Sequence, residues 1–586
     1  MRRYLSFLLL TFLLVSSQAA SLAPVTVLGQ RVLPAGPPSF GLNSHLATRC
    51  LNLACVSEGA GMVADLGLAW VREDLHWHRV QPQPDTWDWE YTDKAITELR
   101  QRNLNILGVL GPSVGWATSF PNDLPNDVSF YPPDLDRFVA YTRATVSRYK
   151  EQIHYWEVWN EPDNPWFWKP TPDPRAYAEL LRRTSAAIRE VDPSAKILMG
   201  GFNPFDTAFL RQMMAANVWD SFDILAIHPY VDPCGPEEGN IAAAPGLVRA
   251  LADQLGPKPI WATEIGWSSG PGDRDNKGLT DERMQANFLV RALLLLWEGG
   301  VERSFWYTLK DDEHNPYGLL AFGTGRNDFS QRKPAFAAFQ TLNRELQGVT
   351  FSEKRDLFQK KVIDNFSEVR DWRRVSQPNG TLRKTDAGNA ELNYNFSTQE
   401  NDYVAFERSQ PLSLLGEPYG LGLDVYGDGS DQTLKVWVKD AEGEVLQFVL
   451  GIVGAPRWHT ITTPIVGQVE PGNRISGQGN GKIDFPASVV ALVLDDSRDS
   501  FVGFGQVYLD NLTAISGREV YDLRFERGNK ALDVIWSPPG IRVTLNTTLP
   551  TGSIVTRAGA RQPITASKGQ FLLNVGPDPL YLWHAR

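Results

Sequence analysis

Two glutamates in this chain sit where apolar runs end. Trp156-Glu157-Val158-Trp159-Asn160-Glu161-Pro162 is an apolar and aromatic stretch that stops on an Asn-Glu pair before proline. Pro259-Ile260-Trp261-Ala262-Thr263-Glu264-Ile265-Gly266-Trp267 repeats the pattern with Glu264. A carboxylate at the end of an interior strand is costly unless it is paired or has a task. About a hundred residues separate the two, or three units of about 34, close to what a (β/α)8 barrel of about 250 residues spends per strand and helix. That register puts Glu161 on a fourth strand and Glu264 on a seventh, facing each other across a barrel mouth. Two opposed carboxyl groups can cleave a glycosidic bond held between them. The plainer alternative, two strand-end glutamates each paired with an arginine, does not explain why both fall in barrel register.

The elements needed to hold such a pair are legible in the surrounding sequence. From residue 38 to 348, strand-like runs alternate with helical patterns, the mark of a parallel α/β fold. Strands are expected at Ser39–Leu42, Ala69–Arg72, Asn105–Leu110, Ile153–Trp159, Lys196–Gly200, Phe222–Ile227, Pro259–Thr263 and Arg303–Tyr307. Helical periodicity fills Thr92–Arg102, Leu135–Lys150, Pro174–Val191 and Asp281–Trp297. An open doubly wound sheet is disfavoured, because no Gly-rich phosphate loop follows an early strand. Beyond residue 348 short alternating strands broken by Gly, Asn and Asp indicate all-β structure. The fold class expected is therefore α/β, a (β/α)8 TIM barrel followed by all-β jelly-roll and small β-sandwich domains. The jelly roll is placed at 362–516 and the sandwich at 517–586, the latter completed by 349–361 if the jelly roll is an insertion.

Composition narrows the partners. Of 586 residues 42% are hydrophobic and 21% charged, ordinary for a folded chain of roughly two to four domains. The net charge of −11 comes with no long Lys/Arg cluster, which argues against nucleic acid. Tryptophan is abundant at 19 residues, a mild pointer to carbohydrate, since aromatic rings hold the apolar faces of sugars. Met1-Arg2-Arg3, the apolar run Tyr4–Val15 and Ser16-Ser17-Gln18-Ala19-Ala20 form a secretory leader, with residues 1–19 removed. The arginine pair invites a twin-arginine reading, but the strongly apolar middle favours the general export route. No later run reaches membrane-span length, so a secreted or periplasmic location is expected. Three cysteines follow, Cys50, Cys55 and Cys234. One bridge is open to them, most simply Cys50 to Cys55, against three reduced thiols.

Taken with their neighbours, the two glutamates resemble the glycoside hydrolase clan of (β/α)8 barrels that carries acid/base and nucleophile glutamates on strands four and seven. Within it the chain is most similar to the family of β-xylosidases, α-L-iduronidases and bacterial exopolysaccharide endoglycosidases. The resemblance covers about Ser39 to Gly348. It implies that Glu161 is the acid/base and Glu264 the nucleophile. It further implies that Arg72, in Trp70-Val71-Arg72-Glu73, lies beside the nucleophile and that Asn160 binds the sugar 2-hydroxyl. Strict strand alternation would turn Asn160 away from Glu161, so an irregular backbone is expected there. His228-Pro229-Tyr230 matches a His-x-Tyr whose tyrosine donates to the nucleophile, with His228 in support. Trp306 matches a tryptophan flooring the sugar site. His45, Trp116, Trp166, Trp168 and Trp267 are candidates for further sugar contacts.

Metal chemistry finds little in the sequence. His76 and His78 lack a ligand frame and read as solvated loop histidines. No cofactor is required for double displacement. The jelly-roll region looks like a carbohydrate-binding module on Asp364-Asn365-Phe366, Gly420–Asp431 and Tyr508-Leu509-Asp510-Asn511. Asp364 and Asp510 are candidates to share a structural Ca²⁺ through oxygen ligands, against ordinary turn-forming residues. The expectation is an exported retaining glycoside hydrolase acting on a β-linked polysaccharide or oligosaccharide. Its rival is a non-catalytic carbohydrate-binding or adhesion protein on the same scaffold.

Overall fold

Eight apolar runs of the amino-terminal half form eight parallel strands, β1 (Phe40–Asn43), β2 (Trp70–Leu75), β3 (Asn105–Leu110), β4 (Tyr155–Val158), β5 (Lys196–Met199), β6 (Leu225–Ile227), β7 (Ile260–Ile265) and β8 (Arg303–Trp306). The computed structural model describes residues 34 and 36–585 apart from 119–123, 274–280, 356–358, 377–378, 399, 431, 455, 457, 497–500 and 517–519. The expected leader lies outside the described residues. Hydrogen bonding runs β5-β4-β3-β2-β1-β8-β7-β6. The two ends of that order meet through the parallel bridges Leu198↔Ile224 and Phe202↔Ile227, so the sheet curls into a barrel.

A helix follows every strand, α1 (Leu53–Asp65), α2 (Glu90–Gln101), α3 (Leu135–Tyr149), α4 (Pro174–Val191), α5 (Ala208–Ala215), α6 (Ala244–Ala252), α7 (Glu282–Glu298) and α8 (Pro334–Leu346). Several start where the sequence supplies a cap. Asp134 accepts from Arg137 N, Asp173 from Ala176 N ahead of Pro174, and Asp281 from Met284 N, each satisfying an amide that the first turn leaves open. Residues 285–298 of α7 are all buried, because this helix is covered on its outer side as well. Trp297 lies 5.1 Å from Phe351 and 5.6 Å from Phe525, ring centre to ring centre.

Inside the barrel the filling changes along the strands. Near the amino ends, Trp70, Tyr155, Trp261 and Phe305 form an aromatic plug, with the Arg303 guanidinium 4.3 Å from the Trp70 ring and 4.6 Å from Trp261. Two residues further on, where the same face recurs, stand Arg72, Glu157 and Thr263. The ionic layer is thus set directly on an apolar floor.

Two six-stranded antiparallel sheets follow. One joins Gly380–Lys384, Ala390–Phe396, Gly503–Ser516, Gly420–Tyr426 and Trp458–Pro464, with Gln359–Asp364 also pairing Gly503–Ser516. The other runs Trp372–Arg374, Tyr403–Leu414, Ala487–Asp495, Thr433–Lys439, Val445–Ile452, Arg474–Ser476. Leu392, Leu423, Val436, Leu492 and Val507 belong to the core they share. A third six-stranded sheet begins with Thr350–Lys354, which pairs antiparallel with Tyr521–Arg527. The chain therefore leaves this last sheet after one strand, builds the two larger sheets, and returns to finish it.

Candidate active site

Glu264 is the next-to-last residue of β7, and a bulge delivers it. On β7 the inward face carries Trp261 and Thr263, whose hydroxyl donates to Glu157 at 3.0 Å, so strict alternation would turn Glu264 outward. The β8 pairing slips at this point, with Ser304 opposite Ala262 but Trp306 opposite Ile265. The extra residue on β7 re-aims the glutamate into the barrel mouth, a common use of a bulge. Glu161 arrives by another route. Trp159 (φ 71°) and Glu161 (φ 45°) both adopt left-handed backbone, which breaks the alternation just past β4. A buried tryptophan in that region is strained by about 1–3 kcal/mol. Its ring is held by Trp168 at 5.2 Å and by an indole hydrogen bond to Phe167 O at 2.8 Å. The irregular backbone expected at Asn160 is present.

The two glutamates meet. One carboxylate oxygen of each, together with a His228 ring nitrogen, lies within 4.8 Å of the others. At that approach both carboxyl groups can reach one glycosidic bond held between them. Their partners differ. Glu264 Oε1 accepts from Arg72 Nη1 at 2.6 Å and Oε2 from Tyr230 Oη at 3.1 Å. Glu161 Oε1 faces His228 Nδ1 at 2.9 Å and Oε2 accepts from Asn164 Nδ2 at 2.8 Å.

Arg72 organises the ionic layer. Its Nε donates to Glu157 Oε2 at 2.7 Å, Nη1 to Asn43 Oδ1 at 2.8 Å as well as to Glu264, and Nη2 to Asn160 Oδ1 at 2.8 Å. Only 2% of the side chain is exposed, yet its charge is compensated by two carboxylates and shared through five-donor geometry. Burial works to lower its pKa, but Glu157 and then Glu264 outweigh burial and raise it, so the guanidinium stays charged. The bond to Asn160 Oδ1 also leaves that amide's NH₂ as its donor end. His228 is held from behind. Thr263 Oγ1 gives its proton to Glu157 and so accepts from His228 Nε2 at 3.0 Å. Nδ1 and Glu161 then share one proton between them. Burial disfavours the imidazolium, but Glu264 and Glu161 override it and raise the His228 pKa.

The other expected sugar residues divide. Trp306 is fully buried and stacks on Trp267 at 6.0 Å, with its indole nitrogen lacking a partner among the described residues. His45 is 8% exposed; its Nδ1 pairs with Asp74 at 2.6 Å, while Nε2 has no partner among the described residues. It lines a cavity of about 420 Å³ with Ser44, Arg49, Lys310, Asp312 and His314, beside the glutamate pair rather than on it. Trp168 and Trp267 are core packing, and Trp116 rests on Trp77 with its indole donating to Gln81 O. Trp166 is 76% exposed in the loop after Glu161, its amide donating to Asn164.

Two expectations around β2 need correction. The second strand runs on past its expected end at Arg72, so Glu73 and Asp74 belong to β2, and both are buried. Burial and then Asp74 push Glu73 up to about 7, with Leu46 N, Ala47 N and the Ser44 hydroxyl donating to it. His76 and His78 are half-buried rather than solvated, their rings 5.4 Å apart, and burial followed by His76 pushes His78 down to about 3. Cys50 and Cys55 form the disulfide, and Cys234 is exposed. Asp364 accepts from Trp372 Nε1 at 3.1 Å and Arg408 Nη1 at 3.0 Å, and Asp510 stands opposite Asp424. Among the described residues, the cluster spaced for a metal is Glu161, His228 and Glu264. Asn43, Glu157, Asn164 and Thr263 carry the site and had no part in the sequence reading. Glu157 had a signal, as an ionisable residue in an apolar run; the other three had none.

Residues 130–326 match the family model described as glycosyl hydrolase catalytic core. The matched segment runs from before α3 to after β8 and contains both glutamates. No curated protein matches the sequence. Among solved structures, a family 39 glycoside hydrolase from the gut symbiont Bacteroides cellulosilyticus WH2 superposes with a TM-score of 0.51 at 17% identity, over 93% of this chain and 80% of that one. A monomeric beta-xylosidase from Caulobacter crescentus CB15 gives 0.43 at 16% identity over 79% and 98%. A GH30 endoxylanase from Clostridium papyrosolvens C71 gives 0.46 at 10% identity over 94% and 98%. At these identities the first likeness speaks for the fold alone. Among the described residues, no helix is long and apolar enough to cross a membrane.

Proposed function

We propose that this chain is an exported retaining glycoside hydrolase that cleaves β-linked polysaccharide or oligosaccharide by double displacement. The observation that carries the reading is the Glu161–Glu264 approach within 4.8 Å with unequal partners on the two sides. Glu264, between a guanidinium and a phenol, is set up as the ionised nucleophile. Glu161, on a proton shared with His228, is set up as the acid/base.

In the first step Glu264 Oε attacks the anomeric carbon while the bond to the leaving oxygen breaks and Glu161 gives that oxygen its proton. The Asn160 NH₂ is placed to donate to the 2-hydroxyl as charge develops on the ring. Trp306 offers an apolar floor. In the second step Glu161 takes a proton from water, the water oxygen bonds to the anomeric carbon, and Glu264 leaves as carboxylate with the configuration retained. Arg72 and Tyr230 stabilise the carboxylate at the start and end of the cycle, and the same donors aid its departure. None of these steps calls for a metal.

The rival reading, a sugar-binding protein on this scaffold, has no use for two opposed carboxylates with different proton partners. Hydrolysis of a chromogenic β-glycoside panel separates the two: release of the chromophore with retained anomeric product is expected, and no turnover on any β-glycoside would sink the enzymatic reading. Export is supported by the leader-like residues 1–19 and is tested by amino-terminal sequencing of the protein recovered from its host. The structural calcium suggested for Asp364 and Asp510 would compete with Arg408 for Asp364, and is tested by whether chelation lowers the unfolding temperature.

A further inference from the structure

The outer face of the first large all-β sheet carries a row of side chains that its core does not need. Pairing brings Trp458 opposite Tyr426, Tyr426 opposite Tyr508, Tyr508 opposite Glu391, and Glu391 opposite Arg383. Five strands thus contribute one residue each to a single line across the sheet. Three consecutive members are aromatic, with Tyr426 5.9 Å from Trp458 and 5.9 Å from Tyr508. Their inward neighbours Val425, Val507 and Leu509 fill the core, so these rings lie on the opposite face, all three half-buried. Phe504, the next residue on the same face beyond Gln506, is 85% exposed.

Hydrogen-bonding groups run along both sides of the row. Tyr508 Oη donates to Gln506 Oε1 at 2.9 Å, Gln506 Nε2 to Asn393 Oδ1 at 3.1 Å, and Asn393 Nδ2 to Glu391 Oε1 at 2.8 Å. On the other side Asp424 takes Thr460 Oγ1 at 2.5 Å and Asn511 Nδ2 at 3.0 Å, and faces Asp510 across the pairing. Each of these side chains is fixed by its neighbour and retains further lone pairs or protons toward solvent.

We propose that this face is a binding site for a neutral β-linked polysaccharide lying across the strands. Strand spacing of about 4.8 Å sets the rings one after another over about 10 Å, a pitch comparable to successive pyranose units. Tyr426 stands edge-on to both neighbours, at 68° to Trp458 and 78° to Tyr508, so the row offers ring faces and ring edges in turn to the C–H groups of sugars, and the amide and carboxylate lines meet the hydroxyls at the rim. The charge on the face selects the class. Glu391, Asp424 and Asp510 outnumber Arg383, which is itself paired with Glu391, so a polyanionic glycan is repelled. The inference concerns a second glycan site and rests neither on Glu161 nor on Glu264.

The test uses the full chain carrying Glu264→Ala, so that glycan is not consumed, in native gels containing xylan, glucomannan, mixed-linkage β-glucan or polygalacturonate. Retardation by at least one of the three neutral glycans and none by polygalacturonate is expected. Replacing Trp458, Tyr426 and Tyr508 with Ala should abolish it at an unchanged unfolding temperature, and Trp458→Ala alone should weaken binding about tenfold by calorimetry. Tyr426→Phe, which keeps the ring, should bind as before. No retardation by any neutral glycan, retardation by polygalacturonate alone, or equal retardation of the triple variant overturns the proposal. So does a concentration-dependent dimer lost with the rings, which would make a second copy the occupant. Binding without hydrolysis in the unsubstituted chain would overturn the enzymatic reading and leave this one standing; hydrolysis without binding does the reverse.

Discussion

The ends of β4 and β7 solve one problem in two ways. Both must turn a glutamate out of strand alternation and into the barrel mouth. β7 does so with a bulge against β8, within the ladder and close to Arg72. β4 does so with left-handed residues beyond its last pair, in a loop that also carries Asn164 and the exposed Trp166. The nucleophile candidate is thus embedded in the rigid ionic layer, and the acid/base candidate sits on the more open rim. A carboxylate that bonds to substrate needs fixed donors; one that gives and takes a proton needs a proton partner and access to water.

The largest expected effect comes from removing the embedded partner. Glu264→Ala should lower turnover by about 10⁴-fold or more, the scale seen when a covalent nucleophile is lost. Added azide should restore reaction with inverted product, read by the anomer formed. Equal activity in variant and parent would mean that the bulge delivers no catalyst. Glu161→Ala should cost about 10²–10⁴-fold on substrates with poor leaving groups. It should spare the first step for dinitrophenyl glycosides, and azide should then give retained product. Opposite azide stereochemistry in the two variants would exchange their roles.

Arg72→Lys tests how much the ionic layer depends on geometry. One ammonium cannot reach Glu157, Asn43, Asn160 and Glu264 together, and breaking a buried pair typically costs about 3–5 kcal/mol. A fall in unfolding temperature together with a fall in kcat is expected, and an unchanged melting curve would show that Glu157 finds compensation elsewhere. Tyr230→Phe removes one charge-assisted bond and should lower kcat/KM by about tenfold with stability nearly unchanged.

The smallest effect is a pH dependence at His228. Its folded pKa is raised above the unfolded value near 6.5, so the stability it contributes is fully present below 6.5 and lost as pH rises through the folded value. His228→Gln should flatten the alkaline fall in unfolding temperature seen in the parent. An identical pH profile in both would place the shared proton on another group.

What the sequence disclosed follows from how far each interaction reaches along the chain. The eight barrel strands are short apolar runs with local signals, and their expected and observed bounds differ by a few residues. Glu161 and Glu264 stood out because each ends such a run, and Arg72 and Tyr230 do approach Glu264 as expected. Glu157 carried the signal of a charge inside an apolar run but none of its role, since its partners Arg72 and Thr263 are distant in sequence and only barrel closure brings them together. The burial of His76 and His78 was missed for the same reason: the strand extends through Leu75 and carries the following turn inward. The bulge at Glu264 leaves no trace in composition, because it is a property of the pairing between β7 and β8.

The strand Thr350–Lys354 emerges from the ribosome well before its partner Tyr521–Arg527, with both large β-sheets made in between. Until the carboxyl-terminal segment is synthesised, Phe351 and the Trp297 side of α7 lack Phe525 as cover. The nascent barrel therefore waits with an apolar flank and an open strand edge, the features that recruit chaperones and favour misassembly. A chain stopped anywhere between Lys354 and Tyr521 would keep every residue of the barrel and still be born with that flank bare.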